Sequence, residues 1–115
     1  DDVIGFREFK GAFAENYVLQ SLSTQSTVNL RYWTSNNSAE VDFLLQYDTH
    51  ILPIEVKSGK STSSRSLTLY NAEKHPILRI RYSDKELKLD DNLLNIPLYM
   101  ADWTFALLDR VIASL

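Results

Sequence analysis

Four residues carry most of the chemistry available to this 115-residue sequence: Glu15, Asp42, Glu55 and Lys57. Glu15 lies in a helical pattern where its i±3 and i±4 neighbours are Gly11, Ala12, Val18 and Leu19, none of which offers a compensating charge. Burying such a carboxylate unpaired is costly or raises its pKa. Either a group outside the helix satisfies it, or its stem packs while its carboxylate reaches solvent.

Asp42 and Glu55 are coupled through a hairpin. With Asp48-Thr49 at the tip and Tyr47 facing His50, antiparallel pairing sets residues whose numbers sum to 97 opposite one another, and Asp42 then faces Glu55. Directly opposed side chains have Cβ atoms about 5 Å apart, so two like charges there require a cation or a shared proton. Lys57 shares a face with Glu55 about 7 Å along the strand, while Leu52, Ile54 and Val56 point the other way. Lys57 either neutralises the pair as a salt bridge or joins it around a divalent cation. Mg²⁺ takes oxygen ligands, keeps several waters and is typically held by one or two carboxylates with substrate phosphate oxygens. Such an ion lowers the pKa of bound water and offsets charge on a phosphate, and a nearby ammonium orients the nucleophile or contacts the phosphate. Those are the parts needed for phosphodiester hydrolysis.

The elements that must position these groups follow from periodicity. Phe6, Phe9, Phe13 and Tyr17, with Ala14, Val18 and Leu22 as an adjoining stripe, predict a helix from Gly5 to Leu22. Strands follow at Val28 to Thr34, Glu40 to Gln46 and Ile51 to Lys57, with turns at Ser35-Asn36-Asn37-Ser38 and at the hairpin tip. A Ser-rich loop from Ser58 to Ser66 leads to a short helix ending before Pro76. Ile77 to Tyr82 is another strand, and Leu87 and Leu89 alternate with charged residues. Leu107, Leu108, Val111, Ile112 and Leu115 define a closing helix with Asp102 as its N-cap. The order α-β-β-β-α-β-(β)-α implies one three-layer α/β domain over residues 1–115 with a central mixed sheet.

Composition agrees with a folded domain: 44% hydrophobic and 23% charged residues, with three Gly and three Pro, disfavour disorder and suit one modest core. Net charge is −3, which excludes a domain that coats nucleic acid or membrane through bulk positive charge. The charge is uneven. Residues 1–57 carry eight acids and four bases, residues 58–83 one acid and five bases, and residues 84–115 six acids and three bases. The basic segment directly follows Lys57, and its Lys60 and Arg65 are candidate contacts to a nucleic-acid backbone. The absence of Cys removes disulfides, zinc–thiolate sites and a Cys nucleophile, making the cytoplasm the default compartment. No apolar stretch approaches a membrane span, so no membrane partner is expected. The start at Asp1-Asp2, without Met, reads as an internal boundary in a longer polypeptide.

A helical Glu, an Asp in a hairpin strand and Glu-x-Lys on the next strand resemble the core of the restriction-endonuclease-like PD-(D/E)XK nuclease superfamily, arranged αβββαβ. More specifically, Gly11-Ala12-Phe13-Ala14-Glu15-Asn16, Tyr32-Trp33, Glu40-Val41-Asp42-Phe43-Leu44, Pro53-Ile54-Glu55-Val56-Lys57-Ser58-Gly59 and Ile96-Pro97-Leu98-Tyr99-Met100 look like a C-terminal domain found behind the P-loop module of bacterial and archaeal predicted AAA+-type ATPases. The resemblance implies Asp42 and Glu55 as metal ligands, the Val56 carbonyl as a further ligand, Lys57 as the catalytic lysine and Glu15 as an auxiliary carboxylate. It further implies Mg²⁺ or Mn²⁺ as cofactor, nucleic acid, DNA above RNA, as substrate, and ATP acting only through an upstream module. The alternative is a non-catalytic module that binds nucleic acid or protein for that ATPase. The sequence departs from the nuclease pattern in having Val41, not Pro, before Asp42, and in lacking the Gln that some junction-resolving relatives carry after the lysine.

Other signals carry less. Gly59-Lys60-Ser61 imitates the end of a phosphate-binding loop, but Ile54 stands where that motif needs Gly, so no ATP site is expected here. His50 and His75 lack metal-ligand spacing and are expected at the surface. Trp33 and Trp103 are expected in the core. Arg79 and Arg81 alternate on one strand face, either bordering the cleft or forming an exposed structural face.

Overall fold

The computed structural model describes residues 3–25, 29–34, 40–58 and 65–115, with only the backbone course of residues 3–10, 29, 32–34 and 40–42. Lys60, the Gly59-Lys60-Ser61 loop, the Ser35–Ser38 turn and the side chains of Trp33 and Asp42 therefore lie outside the described residues. The elements are α1 (Val3–Gln25), β1 (Asn29–Thr34), β2 (Glu40–Tyr47), β3 (His50–Val56), α2 (Arg65–Lys74), β4 (Arg79–Ser83), β5 (Lys88–Asp90), β6 (Leu93–Pro97), a 3₁₀ helix (Leu98–Trp103) and α3 (Thr104–Ala113).

One six-stranded mixed sheet in the order β1-β2-β3-β4-β6-β5 organises the chain. β1, β2 and β3 are antiparallel neighbours, β3, β4 and β6 run parallel, and β5 folds back antiparallel on β6. The β2–β3 hairpin has the expected register, from Tyr47↔His50 to Phe43↔Ile54. Its two-residue turn holds Asp48 at φ 56°, a left-handed conformation that Asp tolerates better than most residues. The β5–β6 turn repeats the device with Asp91 at φ 55°. The alternation of Leu87 and Leu89 thus marks one arm of a second hairpin rather than an isolated strand, and both leucines are partly exposed, at 42% and 41%.

Period-two alternation sorts the strand side chains between two faces. Phe43, Leu45, Leu52, Ile54, Ile80, Tyr82, Leu94 and Ile96 form the main core with Val18 and Leu22 of α1, Ala101 of the 3₁₀ helix and Leu108 of α3. Each fully buried Leu, Ile or Phe contributes about 1.5–3 kcal/mol of transfer free energy. On the opposite face α2 makes a much smaller cluster, Leu67 and Tyr70 against Leu44 and Leu93. Helices therefore flank both faces of the sheet.

Three sequence expectations are corrected. In α1 the buried stripe is Ala14, Val18 and Leu22, with Tyr17 partly buried against the same core, while Phe13 is 65% exposed, because burying one row of the helix on the sheet turns this neighbouring position outward. Asp102 does not cap α3. Pro97 passes the chain straight into the 3₁₀ helix, which places Asp102 inside a helical turn, and its carboxylate accepts the Ser21 hydroxyl at 2.6 Å. The Phe105 amide of α3 instead donates to Gln25 Oε1 of α1 at 3.3 Å, and Gln25 Nε2 donates to the Ala101 carbonyl at 3.0 Å. Trp103 is 56% exposed rather than in the core, since α3 turns Thr104 and Leu108 inward from that end. Among the described residues no helix is long and apolar enough to cross a membrane.

Candidate functional site

Glu55 and Lys57 occupy the C-terminal end of β3, a strand paired on both sides. Ile54 and Val56 turn toward the main core, so alternation sends Pro53, Glu55 and Lys57 to the face covered by α2. The Lys57 amide donates to the Tyr82 carbonyl at 2.8 Å, extending the β3–β4 ladder one residue past the strand and holding the lysine backbone in line. Lys57 Nζ stands 3.3 Å from Glu55 Oε1, the ammonium partly exposed and the carboxylate almost wholly buried. The second carboxylate oxygen, Glu55 Oε2, is buried and accepts no hydrogen bond from the described residues. A buried, unsatisfied carboxylate oxygen is costly to keep, so the site fits an added electropositive partner.

β2 reaches this point through an irregularity. Arg31 pairs with Leu44 but Trp33 pairs with Val41, so two residues of β2, Asp42 and Phe43, span the space of the single Tyr32. The β2–β3 ladder runs to Phe43↔Ile54, and Asp42 and Glu55 are the next positions on their strands. Bulges of this kind re-aim the strand and recur beside active sites.

Glu15 is half-buried on α1, four residues after Gly11. A Cβ at Gly11 would stand 3.5 Å from Ser58 Oγ, so this part of α1 runs against the chain just beyond Lys57. Arg65 opens α2 and is exposed. Of the residues singled out from sequence, the structure therefore brings Glu55, Val56 and Lys57 together, places Glu15 one turn from the segment that follows them, and leaves Arg65 on the outer end of the covering helix. His75 is exposed and His50 half-buried. Both line a small cleft of about 330 Å³ beside Tyr70 and Lys74 at the far end of the sheet from Lys57.

The polar band continues across the sheet. Arg81 is the register partner of Glu55 on β4, and Asn95 is the register partner of Arg81 on β6. Arg81 Nε donates to Asn95 Oδ1 at 3.0 Å, and the same oxygen accepts the Ser83 hydroxyl at 2.6 Å. Asn95 Nδ2 donates to the Lys85 and Glu86 carbonyls at 3.1 and 2.9 Å. Alternation in β4 points to Arg81, but Asn95 has no sequence signal of its own, since its role exists only once β6 lies beside β4. Among the described residues no three His, Cys, Asp or Glu side chains gather as a ready metal cage. A site of one or two carboxylates completed by water and phosphate does not need one.

Residues 10–100 match the family model of a domain of unknown function, DUF4143. A comparison with curated proteins gives no match.

Proposed function

The chain belongs to the DUF4143 family, and from that premise we propose that it is a divalent-metal-dependent nuclease-like domain that hydrolyses phosphodiester bonds, with DNA as substrate. In this reading the mixed sheet with its flanking helices is the three-layer restriction-endonuclease-like fold, and the domain serves a P-loop ATPase module of the AAA+ type in the cytoplasm.

The observation that carries the reading is the division of labour on one carboxylate: Oε1 of Glu55 meets Lys57 at 3.3 Å while the buried Oε2 meets no donor among the described residues. Glu55 and Asp42 would hold Mg²⁺ or Mn²⁺, with the Val56 carbonyl as a further ligand and Glu15 bearing on its water. The bound ion would supply a water of lowered pKa and offset charge on the phosphate. Lys57, held against Glu55 with its ammonium partly exposed, donates hydrogen bonds to the attacking water or to a phosphate oxygen.

Two measurements test this. Millimolar Mn²⁺ or Mg²⁺ is expected to raise the melting temperature of the wild type, and Glu55→Gln to raise it without metal while abolishing the metal response. No shift with either ion would overturn the metal site. Incubation of the protein joined to its ATPase module with DNA and RNA substrates, metal and ATP is expected to give products that Lys57→Ala does not. A second reading, a non-catalytic module binding nucleic acid or protein for the ATPase, is favoured by the exposed aromatic surface of Tyr99 and Trp103, 75% and 56% exposed. Equal products from wild type and Lys57→Ala, or none, would select it.

A further inference from the structure

We infer that the cleft between the β2–β3 turn and the end of α2 binds a phosphate dianion, free or as the terminal group of a phosphate monoester. The chain holds 2 histidines, and both of them, His50 and His75, line this one cleft although they stand far apart in sequence. Lys74 and Thr49 line it with them. Seven extended residues at about 3.3 Å each separate His50 from Lys57, which puts the cleft about 23 Å along β3 from the lysine. The cleft is therefore separate from the group built on Glu55 and does not depend on the phosphodiester reading.

Two backbone corners position the histidines. His50 opens β3, paired with Tyr47 across the two-residue turn. His75 follows the last residue of α2 at φ 50°, its amide donating to the Asn71 carbonyl at 3.1 Å. Asn92 Nδ2 holds the same corner, donating to the Pro76 carbonyl at 3.1 Å and to Asn71 Oδ1 at 2.8 Å. Gly and Asn enter a left-handed conformation more readily than His, so this position gives up local stability and gains an imidazole. Residues held in such sparsely populated conformations cluster at ligand clamps.

Among the described residues, neither imidazole nor the Lys74 ammonium has a hydrogen-bond or ion-pair partner. No carboxylate lines the cleft among the described residues, and Asp48 and Glu73, the sequence neighbours of Thr49 and Lys74, are exposed and outside the lining. The formal charge of the lining is thus the +1 of Lys74 before either imidazole takes a proton. The C-terminal end of α2 is the electronegative pole of that helix, and Lys74 in its last turn offsets it. An arriving dianion meets a charged donor from Lys74 and one N–H from each neutral imidazole, and either ring can accept a proton near neutral pH. A metal ion between the rings would meet the Lys74 charge with no carboxylate to balance it. The volume of about 330 Å³, some eleven times the roughly 30 Å³ share of one water, admits a phosphoryl group and the start of its ester substituent.

The test is a proton NMR titration at about pH 7 with EDTA present, following the two imidazole Cε1–H signals, which His50→Gln and His75→Asn assign. Inorganic phosphate, phenyl phosphate and a 5′-phosphorylated oligonucleotide are the three arms. Chloride at equal ionic strength and the unphosphorylated oligonucleotide are the controls. Phosphate is expected to move both signals along one saturating curve, and the arm with the lowest midpoint identifies the source of the group. His75→Asn, which suits the left-handed backbone and keeps the fold, is expected to weaken binding at least fivefold as read at His50. Lys74→Gln should weaken it at least fivefold at both signals, whereas Lys88→Gln, which removes a positive charge from β5, should bind as the wild type does. Signals that move no more with phosphate than with chloride overturn the site, and so do His75→Asn or Lys74→Gln proteins that bind phosphate as the wild type does. Saturation of both signals by Zn²⁺ added without EDTA, with no response to phosphate, overturns it in favour of a metal pair.

Discussion

The two faces of the sheet are built from the same strands and differ in almost every other respect. Ile54 lies with Val18, Leu22, Ile80 and Leu108 in the main core, whereas Glu55, one residue on, lies buried beside Lys57 under α2 with one oxygen left unsatisfied by the described residues. The face under α1 and α3 is almost wholly apolar, and the hydroxyl of Tyr82 is one of its few polar atoms. The face under α2 has a small apolar cluster at Leu67 and Tyr70, and then polar side chains from Glu55 through Arg81 to Asn95. The difference teaches where this domain keeps its stability and where its chemistry. A residue on the first face is felt through packing, and one on the second through charge and hydrogen bonding.

The largest expected effect falls on the first face. Ile54→Ala should cost about 3–4 kcal/mol in a urea unfolding curve, through lost burial and the cavity left behind. Its neighbour Glu55→Gln should stabilise the metal-free protein, so a large loss at position 55 would break the contrast between the faces. Tyr82→Phe should cost about 1 kcal/mol. The Tyr82 hydroxyl donates to Thr104 Oγ1 at 2.7 Å and Thr104 donates in turn to the Ala101 carbonyl at 2.7 Å, linking β4 to the helices.

Tyr82 also sharpens the comparison through pH. Burial drives the Tyr82 phenol well above its ordinary value of 10.0. The unfolded state therefore releases this proton first as pH rises, and ν_U falls below ν_N. Stability from the neutral phenol is complete below about pH 10 and is lost progressively above it. The wild-type melting temperature should fall more steeply than that of Tyr82→Phe between about pH 10 and 11.5.

The smallest effect belongs to a region outside both faces. α2 stops at Lys74, and His75, just before Pro76, takes φ 50° with its amide donating to the Asn71 carbonyl at 3.1 Å. Asn enters this left-handed conformation more readily than His, so His75→Asn should raise stability by about 0.5 kcal/mol, measured as a melting-temperature rise of a few degrees.

Much of this was legible in the residues because it is local. Asp48-Thr49 between two alternating runs sets a two-residue turn, and the turn alone sets the register of every pair from Tyr47↔His50 to Phe43↔Ile54. The same alternation puts Glu55 and Lys57 on one face, and Pro76 ends α2. The misread residues depend on what lies far away in sequence. Asp102 has the composition of a cap, but Ser21, 81 residues earlier, claims its carboxylate once α1 packs on the 3₁₀ helix. Phe13 and Ala14 both fit an apolar stripe, and only the docking angle of α1 decides that Ala14 is buried while Phe13 is 65% exposed.

By itself, then, the sequence determined α1 through β4 and the closing helix, the hairpin register and the carboxylate–amine pair at Glu55 and Lys57, but not β6 or the 3₁₀ helix, since turn chemistry and period-two alternation act over a few residues. Tertiary structure alone decided that β4 lies between β3 and β6, and hence that Arg81 stands beside Glu55 and is held by Asn95. Parallel strands are joined by long connections whose path follows from packing the whole core, and no local pattern encodes which strand becomes the neighbour.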